Sequence, residues 1–165
     1  MTCLTAKFIN IRSAEVGSLV RFDHNGATLF AIILDKGTTT SRMIKIGVDG
    51  HTFQQVEMNN DIDGLDLGKA WLFEATDIAA SFVEGYEAAK LTGLLTFSDQ
   101  GHPILSVSDH VNPIDVVYWN LNTRTSVPGR VSVPAATKTW ALWANKEERN
   151  SPKGKPLYVA FSQKP

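Results

Sequence analysis

Two tight-turn dipeptides, Asn25-Gly26 and Asp49-Gly50, constrain the fold of this chain more than any other feature of its sequence. Each lies between runs of apolar and β-branched residues, in VRFD-HNG-ATLFAIIL and in RMIKIGV-DG-HTFQQVE. Asn-Gly and Asp-Gly favour the two-residue turns whose twist matches that of paired antiparallel strands. The sequence therefore predicts two successive β-hairpins between Val20 and Glu57.

The runs beside these turns predict how the strands are placed in a sheet. Ala27 to Leu34 is apolar toward both faces, which indicates a central strand. Ile44 and Ile46 alternate with Lys45, which is typical of a strand with one buried face. With LTAKFINI in front, about five strands are expected by Glu57. Short strands joined by tight turns are typical of a small barrel or a strongly curled sheet.

The hydrophobic period then changes from that of a strand to that of a helix. Apolar residues follow one another at steps of 4, 4, 3, 4, 4 and 3, at Leu67, Trp71, Ala75, Ile78, Phe82, Tyr86 and Ala89. Such a stripe predicts one α-helix over about 67–90. The alternative is a strand at KAWLFE followed by a shorter helix that Thr76 caps.

Strand patterns return after Gly93. LTGLLTF and PILSVS flank the turn SDQGH, IDVVYWNL is rich in β-branched and aromatic residues, and LYVAFSQ is the last run. TKTWALWA fits a strand or a helix, and NKEERNSPKGKP reads as a mobile polar loop. We expect one compact α+β domain over 1–165, mostly β, with an antiparallel or mixed sheet. Its parts are a hairpin-rich 1–58, the helix 67–90 and a second strand group 91–165.

Composition narrows the class of protein. Hydrophobic residues make up 43% and charged residues 20% of the 165 residues, as in globular domains. A single cysteine, Cys3, excludes an intramolecular disulfide and a zinc site built from cysteines. No signal peptide is evident, and no run approaches the roughly 18 apolar residues of a membrane span. We expect a soluble, cytoplasmic protein without membrane contact.

Charge is divided unevenly along the chain. Residues 1–122 hold 8 Lys/Arg and 15 Asp/Glu, whereas residues 123–165 hold 8 and 2. Such asymmetry fits contact with an anionic partner, or attraction between the two parts of one fold. The basic third also carries aromatic residues. Its candidate binding residues are Arg149, Lys153, Lys155, Trp140 and Trp143, because cations track phosphates and aromatic faces stack on bases.

The acidic stretch NNDIDGLDLG, from Asn59 to Gly68, resembles the start of a calcium loop. Position 12 of such a loop falls on Ala70, where a bidentate Glu is required. We therefore expect a structural role, in which Asp63-Gly64 makes a turn and Asp66 caps the following helix.

Histidines offer one further candidate site. His102 and His110 bracket one predicted strand, with Asp99 nearby, and together could form a 2-His-1-carboxylate metal site. Eight residues of straight strand separate the two histidines by about 26 Å, so only a sharp bend would join them. No nucleophile elbow, phosphate loop or dinucleotide fingerprint is present, and no cofactor or catalytic residue is indicated.

These observations favour a non-catalytic binding or assembly module over an enzyme. Its partner would be another protein or a second copy of the chain, since the charge division suits docking. Two alternatives remain open. One is a single-stranded nucleic-acid binder that uses the basic, aromatic C-terminal third. The other is an enzyme or metal protein with a site near His102 and His110.

Overall fold

A computed structural model describes residues 6–24, 26–47, 53–77, 82–83, 91–128 and 136–160. The chain is mostly β in these ranges. A short 3-10 helix spans Ile11–Ser13 and the α-helix α1 spans Lys146–Asn150. The strands are β1 Lys7–Asn10, β2 Leu19–His24, β3 Ala27–Lys36, β4 Thr40–Gly47, β5 Phe53–Asn59, β6 Asp63–Asp66, β7 Leu72–Ala75, β8 Phe82–Val83, β9 Leu95–Phe97, β10 Pro103–Ser108, β11 Val116–Asn120, β12 Thr125–Pro128, β13 Ala136–Thr137, β14 Trp140–Trp143 and β15 Tyr158–Ala160.

The predicted hairpins open the fold. Strands β2, β3, β4 and β5 form an antiparallel meander. His24 pairs with Ala27 across the first turn, where Gly26 has φ +80°. Ile46 pairs with Phe53 across the second turn. Asn25 of the first turn and Asp49-Gly50 of the second lie outside the described residues. The prediction of five strands by Glu57 is confirmed.

The meander is strongly curled. Strand β6 lies between β1 and β2, four strand spacings from β5, or about 19 Å in a flat sheet. Only residues 60–62 join β5 to β6, and four Cα–Cα steps reach at most about 15 Å. The sheet must therefore bend to bring the end of β5 near β6. The N–H groups of Ile11 and Arg12, just after β1, accordingly donate to the carbonyls of Ile62 and Asn60 at 2.8 and 3.1 Å.

Both faces of β3 are buried, as its apolar run predicts. Alternate residues enter two different cores. One core contains Ile9, Ile11, Ala14, Val20, Phe22, Leu29, Ala31, Ile33 and Met43. The other core joins the meander to the rest of the chain and includes Leu19, Phe30, Ile32, Ile44, Ile46, Phe53, Leu105, Trp119, Trp140 and Tyr158.

The larger sheet continues from β5 through β10, β9, β13 and β8, and β11 and β12 extend from β10. The sheet is mixed, because Ser108 of β10 pairs with Gln54 of β5 in parallel. Strands β7, β14 and β15 form a second, antiparallel sheet. TKTWALWA therefore contributes a strand. Among the described strands the larger sheet ends at β1 and β8 without closing, so the expectation of a small barrel is wrong.

The long helix expected over 67–90 is also wrong where the chain is described. Leu72–Ala75 is strand β7 and pairs with β14, so the strand part of the alternative, at KAWLFE, is correct. Gly68 and Asp77 have φ values of +77° and +43°, which a right-handed helix excludes. Phe82–Val83 is paired with β13. Residues 78–81 and 84–90, with the rest of the apolar stripe, lie outside the described residues.

The acidic stretch is neither a helix cap nor a turn at Asp63-Gly64. Strand β6 includes both residues, and the turn lies at 60–62. One carboxylate oxygen of Asp66 instead accepts the N–H of Gly68 at 2.8 Å. This local turn redirects the chain toward Lys69 and Trp71. The expected N-cap role of Asp66 is therefore replaced by a turn-forming one.

The polar stretch NKEERNSPKGKP contains a short helix as well as the expected loop. Helix α1 lies within it, and the side chain of Asn145 accepts the N–H of Glu148 at 2.7 Å as its N-cap. Gly154 packs so closely on the helix that a Cβ there would lie 1.7 Å from the carbonyl oxygen of Glu148. The sequence pattern for a helix start, Asn followed three residues later by Glu, is present in this stretch.

Gly26→Val is expected to lower the free energy of unfolding by about 1–2 kcal/mol or more, because left-handed backbone is costly for L side chains and most of all for β-branched ones. A Cβ at this position meets nothing within 4 Å, so the loss reports backbone strain alone. Urea denaturation measures it. Gly26→Asn is the matched control and should cost less, since Asn tolerates this conformation. Equal stability of wild type and Gly26→Val would contradict the turn.

Candidate functional site

Trp140, one of the five predicted binding residues, lies in the core. Its side chain has 0% exposure and packs on the rings of Phe53, Phe73 and Tyr158 at centroid distances of 5.6, 5.1 and 5.5 Å. Its Nε1 donates to the carbonyl of Gly93 at 2.8 Å. In this arrangement Trp140 cannot stack on a ligand.

Trp143 and Arg149 meet at a carboxylate of the acidic part of the chain. Glu74 accepts from Trp143 Nε1 at 2.9 Å and from Arg149 Nε and Nη2 at 2.9 and 2.5 Å. The hydrogen bond from Arg149 is the main cause that holds the pKa of Glu74 below its usual range. The Arg149 guanidinium thus links α1 to β7, and the Glu74 carboxylate neutralises its charge. Lys153 and Lys155 lie exposed after the helix.

The candidate metal residues are not brought together. Asp99 and His102 belong to the turn before β10, whereas His110 follows the other end of that strand. His110 Nδ1 lies 3.1 Å from Gln55 Nε2 and 3.4 Å from Asp109 Oδ1. Among the described residues, no group of three or more His, Cys, Asp or Glu side chains is placed to hold a metal ion.

The loop between β10 and β11 presents apolar side chains to solvent. Residues Asp109 to Asp115 are hereafter the hairpin tip. Within it, Val111 is 76% exposed and Ile114 is 89% exposed. Pattern reasoning missed this feature, because apolar residues beside a strand, as in HVNPID, ordinarily indicate core. The one local signal is Asn112-Pro113, a pair that favours a turn.

Hydrogen bonds fix the shape of the hairpin tip. Asp109 N–H donates to the carbonyl of Asp115, and Asp115 N–H donates to that of Asn112, both at 2.9 Å. The Asp109 carboxylate accepts the N–H of Val111 at 3.2 Å, and the Asp115 carboxylate accepts the amide of Asn112 at 2.9 Å. Pro113 is the second residue of the closing turn, where its restricted φ is favourable. The exposed side chains therefore stand on an organised loop.

A second surface feature lies at the opposite end of β11. It is a cleft of about 200 Å³, hereafter the cationic cleft, lined by Val16, Gly17, Lys69, Trp71, Leu121, Asn122 and Arg124. Gly17 lies close to the two side chains of the cleft that carry positive charge, Lys69 and Arg124. From a Cβ built on Gly17, Arg124 Nη1 would be 3.6 Å away and Lys69 Cδ 3.9 Å. The Arg124 guanidinium and the aliphatic stem of Lys69 therefore both pass close to Gly17, while the Lys69 ammonium pairs with Glu15.

Local hydrogen bonds position both sides of the cationic cleft. Trp71 Nε1 donates to the carbonyl of Gly17 at 2.9 Å. Across the cleft, the side-chain oxygen of Asn120 accepts the N–H groups of Asn122 and Thr123 at 3.1 Å each. The backbone carbonyl of Asn120 accepts the N–H of Arg124 at 2.8 Å. Arg124 closes this turn with φ +57°. The Lys69 ammonium is ion-paired with the Glu15 carboxylate. The hydrogen bond that Lys69 donates in this pair lowers the pKa of Glu15.

Comparisons with protein-family models, with curated proteins and with solved structures found no significant match. Within the described ranges, no helix has the length and apolar character needed to cross a membrane. The chemistry that the described surface offers is therefore read from its own residues. Two features of that surface are an apolar tip with carboxylates and a small cleft lined by Lys69 and Arg124.

Proposed function

We propose that this protein is a non-catalytic binding module that docks on another protein surface through its hairpin tip. The observation that carries the proposal is the exposure of Val111 and Ile114 on a loop that hydrogen bonds hold in shape. Burying such a side chain stabilises a complex by about 1.5–3 kcal/mol. Because the loop is already ordered, little of that gain is lost to ordering on binding.

The carboxylates of the tip indicate the chemistry of the partner surface. Asp109 is partly exposed and Asp115 is exposed, on either side of the two apolar residues. Charges at the rim of an interface select partners by complementarity and speed their encounter. A surface that fits this tip has an apolar depression bordered by Lys or Arg.

Single-stranded nucleic-acid binding receives less support from the geometry. Trp140 is enclosed in the core, and Arg149 is compensated by Glu74. Among the five candidate residues, Lys153 and Lys155 remain as exposed cations. Neither of the two candidate tryptophans is an exposed ring. An enzyme site near His102 and His110 is likewise weakened, because β10 holds these residues apart.

Ser substitutions at Val111 and Ile114 are expected to weaken partner binding at least about tenfold for each side chain, since 1.4 kcal/mol corresponds to a factor of ten. A photo-crosslinking amino acid at position 114 identifies the partner in cells. Titration calorimetry with that purified partner then gives the dissociation constants of wild type and variants. Thermal stability should stay unchanged, because both side chains are exposed.

Phe8→Ser supplies the matched control. Phe8 is 72% exposed on β1, away from the tip in the sheet, so its loss should leave partner affinity unaltered. A crosslinked partner that binds the Val111→Ser, Ile114→Ser variant as tightly as wild type would remove the tip as the docking element.

A further inference from the structure

We infer that the partner of the hairpin tip is a second copy of this chain, and that the tip docks in the cationic cleft of that copy. The inference rests on the proposed function and names its partner. The product would be a head-to-tail assembly, because tip and cleft are different surfaces.

Charge and polarity match between the two surfaces. The tip offers the carboxylates of Asp109 and Asp115, and the cleft offers Lys69 and Arg124. Glu15 neutralises the charge of Lys69, and the charge of Arg124 leaves the cleft positive. The apolar residues of the tip, Val111 and Ile114, have their counterparts in the cleft wall, formed by Val16, Trp71 and Leu121. Opposite charges around an apolar contact are the arrangement that fixes register between protein surfaces.

The size of the cleft favours a side chain over a small-molecule ligand. Pockets for such ligands measure about 300–1,000 Å³ and enclose most of the molecule. This cleft measures about 200 Å³ and is open to solvent. It suits one aliphatic side chain inserted from a protruding loop. Ile114, the most exposed large apolar residue described, is the side chain that we place there.

The topology excludes docking of the tip on its own cleft. The tip directly precedes β11 (Val116–Asn120), and the turn with Asn122 and Arg124 directly follows it. The six residue-to-residue steps of extended chain from Asp115 to Leu121 span about 20 Å. The length of β11 thus separates the two surfaces within one chain. Contacts of this kind between copies continue from molecule to molecule and yield a ring or a filament.

Sedimentation velocity over a wide range of protein concentration tests the assembly. Wild type is expected to associate as its concentration rises, and less so at high salt, because ionic strength screens the carboxylate–cation contacts. Ile114→Lys and Arg124→Asp should each weaken association at least about tenfold by placing like charges together. Asp is chosen at position 124 because it tolerates positive φ.

Mixing the two variants gives the decisive result. The Arg124→Asp protein keeps a native tip and the Ile114→Lys protein keeps a native cleft, so the mixture should associate more tightly than either variant does alone. Phe8→Lys is the control and should associate as wild type does. Circular dichroism checks that each variant folds, and Lys69→Ala replaces Arg124→Asp as the cleft variant if the latter does not.

Three outcomes would overturn the inference. They are a wild type that stays monomeric, an association indifferent to both variants, and a mixture that stays dissociated. Saturable binding of inorganic phosphate in the cleft, lost in Arg124→Asp and without self-association, would instead make it an anion site. If the wild type is monomeric and the crosslinked partner is a different protein, the proposed function stands and the self-association does not. If the partner binds equally well when Ile114 is replaced, both the proposed function and the self-association are removed.

Discussion

Trp140→Ala is expected to lower the free energy of unfolding by about 3–5 kcal/mol, the usual cost of truncating a large buried aromatic residue. The side chain is wholly buried among Phe53, Phe73 and Tyr158, so its removal leaves a cavity that fixed rings cannot fill. It also leaves the Gly93 carbonyl, deep in the fold, without the indole donor. An unpaired buried acceptor adds to the loss.

Trp143→Ala is the matched comparison, because Trp143 lies three positions after Trp140 in β14 and on the opposite face of that strand. Its side chain is half-buried, and its indole donates to a carboxylate that Arg149 also holds. We expect a loss of about 1–2 kcal/mol, from one hydrogen bond and partial burial. Urea denaturation followed by far-UV circular dichroism measures both variants. Similar losses for the two would contradict the placement of Trp140 in the core.

The hairpins could be predicted because their determinants are local. The Asn25-Gly26 turn needs a residue that accepts positive φ, and the adjoining runs carry the period of strands. The same holds for the burial of β3 on both faces, which follows from its unbroken apolar run. Where a few neighbouring residues decide the conformation, the pattern and the structure agree.

The helix over 67–90 was mispredicted because its deciding interactions are distant. The apolar spacing from Leu67 to Ala75 satisfies a helical stripe, yet Leu72–Ala75 pairs with β14 almost seventy residues later. Trp71 and Phe73 also satisfy the two-residue period of a strand, and their rings meet edge to face at 5.8 Å. Over so few residues either period fits, and pairing with another strand decides.

The candidate site was harder to predict than the fold. Composition marked Trp140 and Trp143 equally, but one is a core ring and the other touches Glu74 at the surface. The exposure of Ile114 depends on how β10 and β11 close around the tip, which no sequence period records. The partner of Arg149 lies 75 residues away. The charge division left open whether the basic part meets an anionic partner or the acidic part of its own chain, and this ion pair is one instance of the second.

Gly93→Ala is expected to cost about 2–5 kcal/mol, the sum of left-handed backbone strain and overpacking. Gly93 has φ +79°, and a Cβ there would lie 2.3 Å from two carbons of the Phe53 ring. Neither partner can move freely. The N–H of Gly93 donates to Ser106 at 2.7 Å, its carbonyl accepts from Trp140, and Phe53 packs on Trp140 and Tyr158.

Gly101→Ala separates the two causes of that loss. Gly101 has φ +77°, but a Cβ there meets nothing within 4 Å, so only backbone strain of about 1–2 kcal/mol is expected. The difference between the two variants in urea denaturation measures the steric conflict with Phe53. Phe53→Leu should reduce that difference when combined with Gly93→Ala, because it removes the ring atoms that the new methyl meets. Equal losses for Gly93→Ala and Gly101→Ala would mean that the Phe53 ring does not rest on Gly93, and the packing that surrounds Trp140 would then need revision.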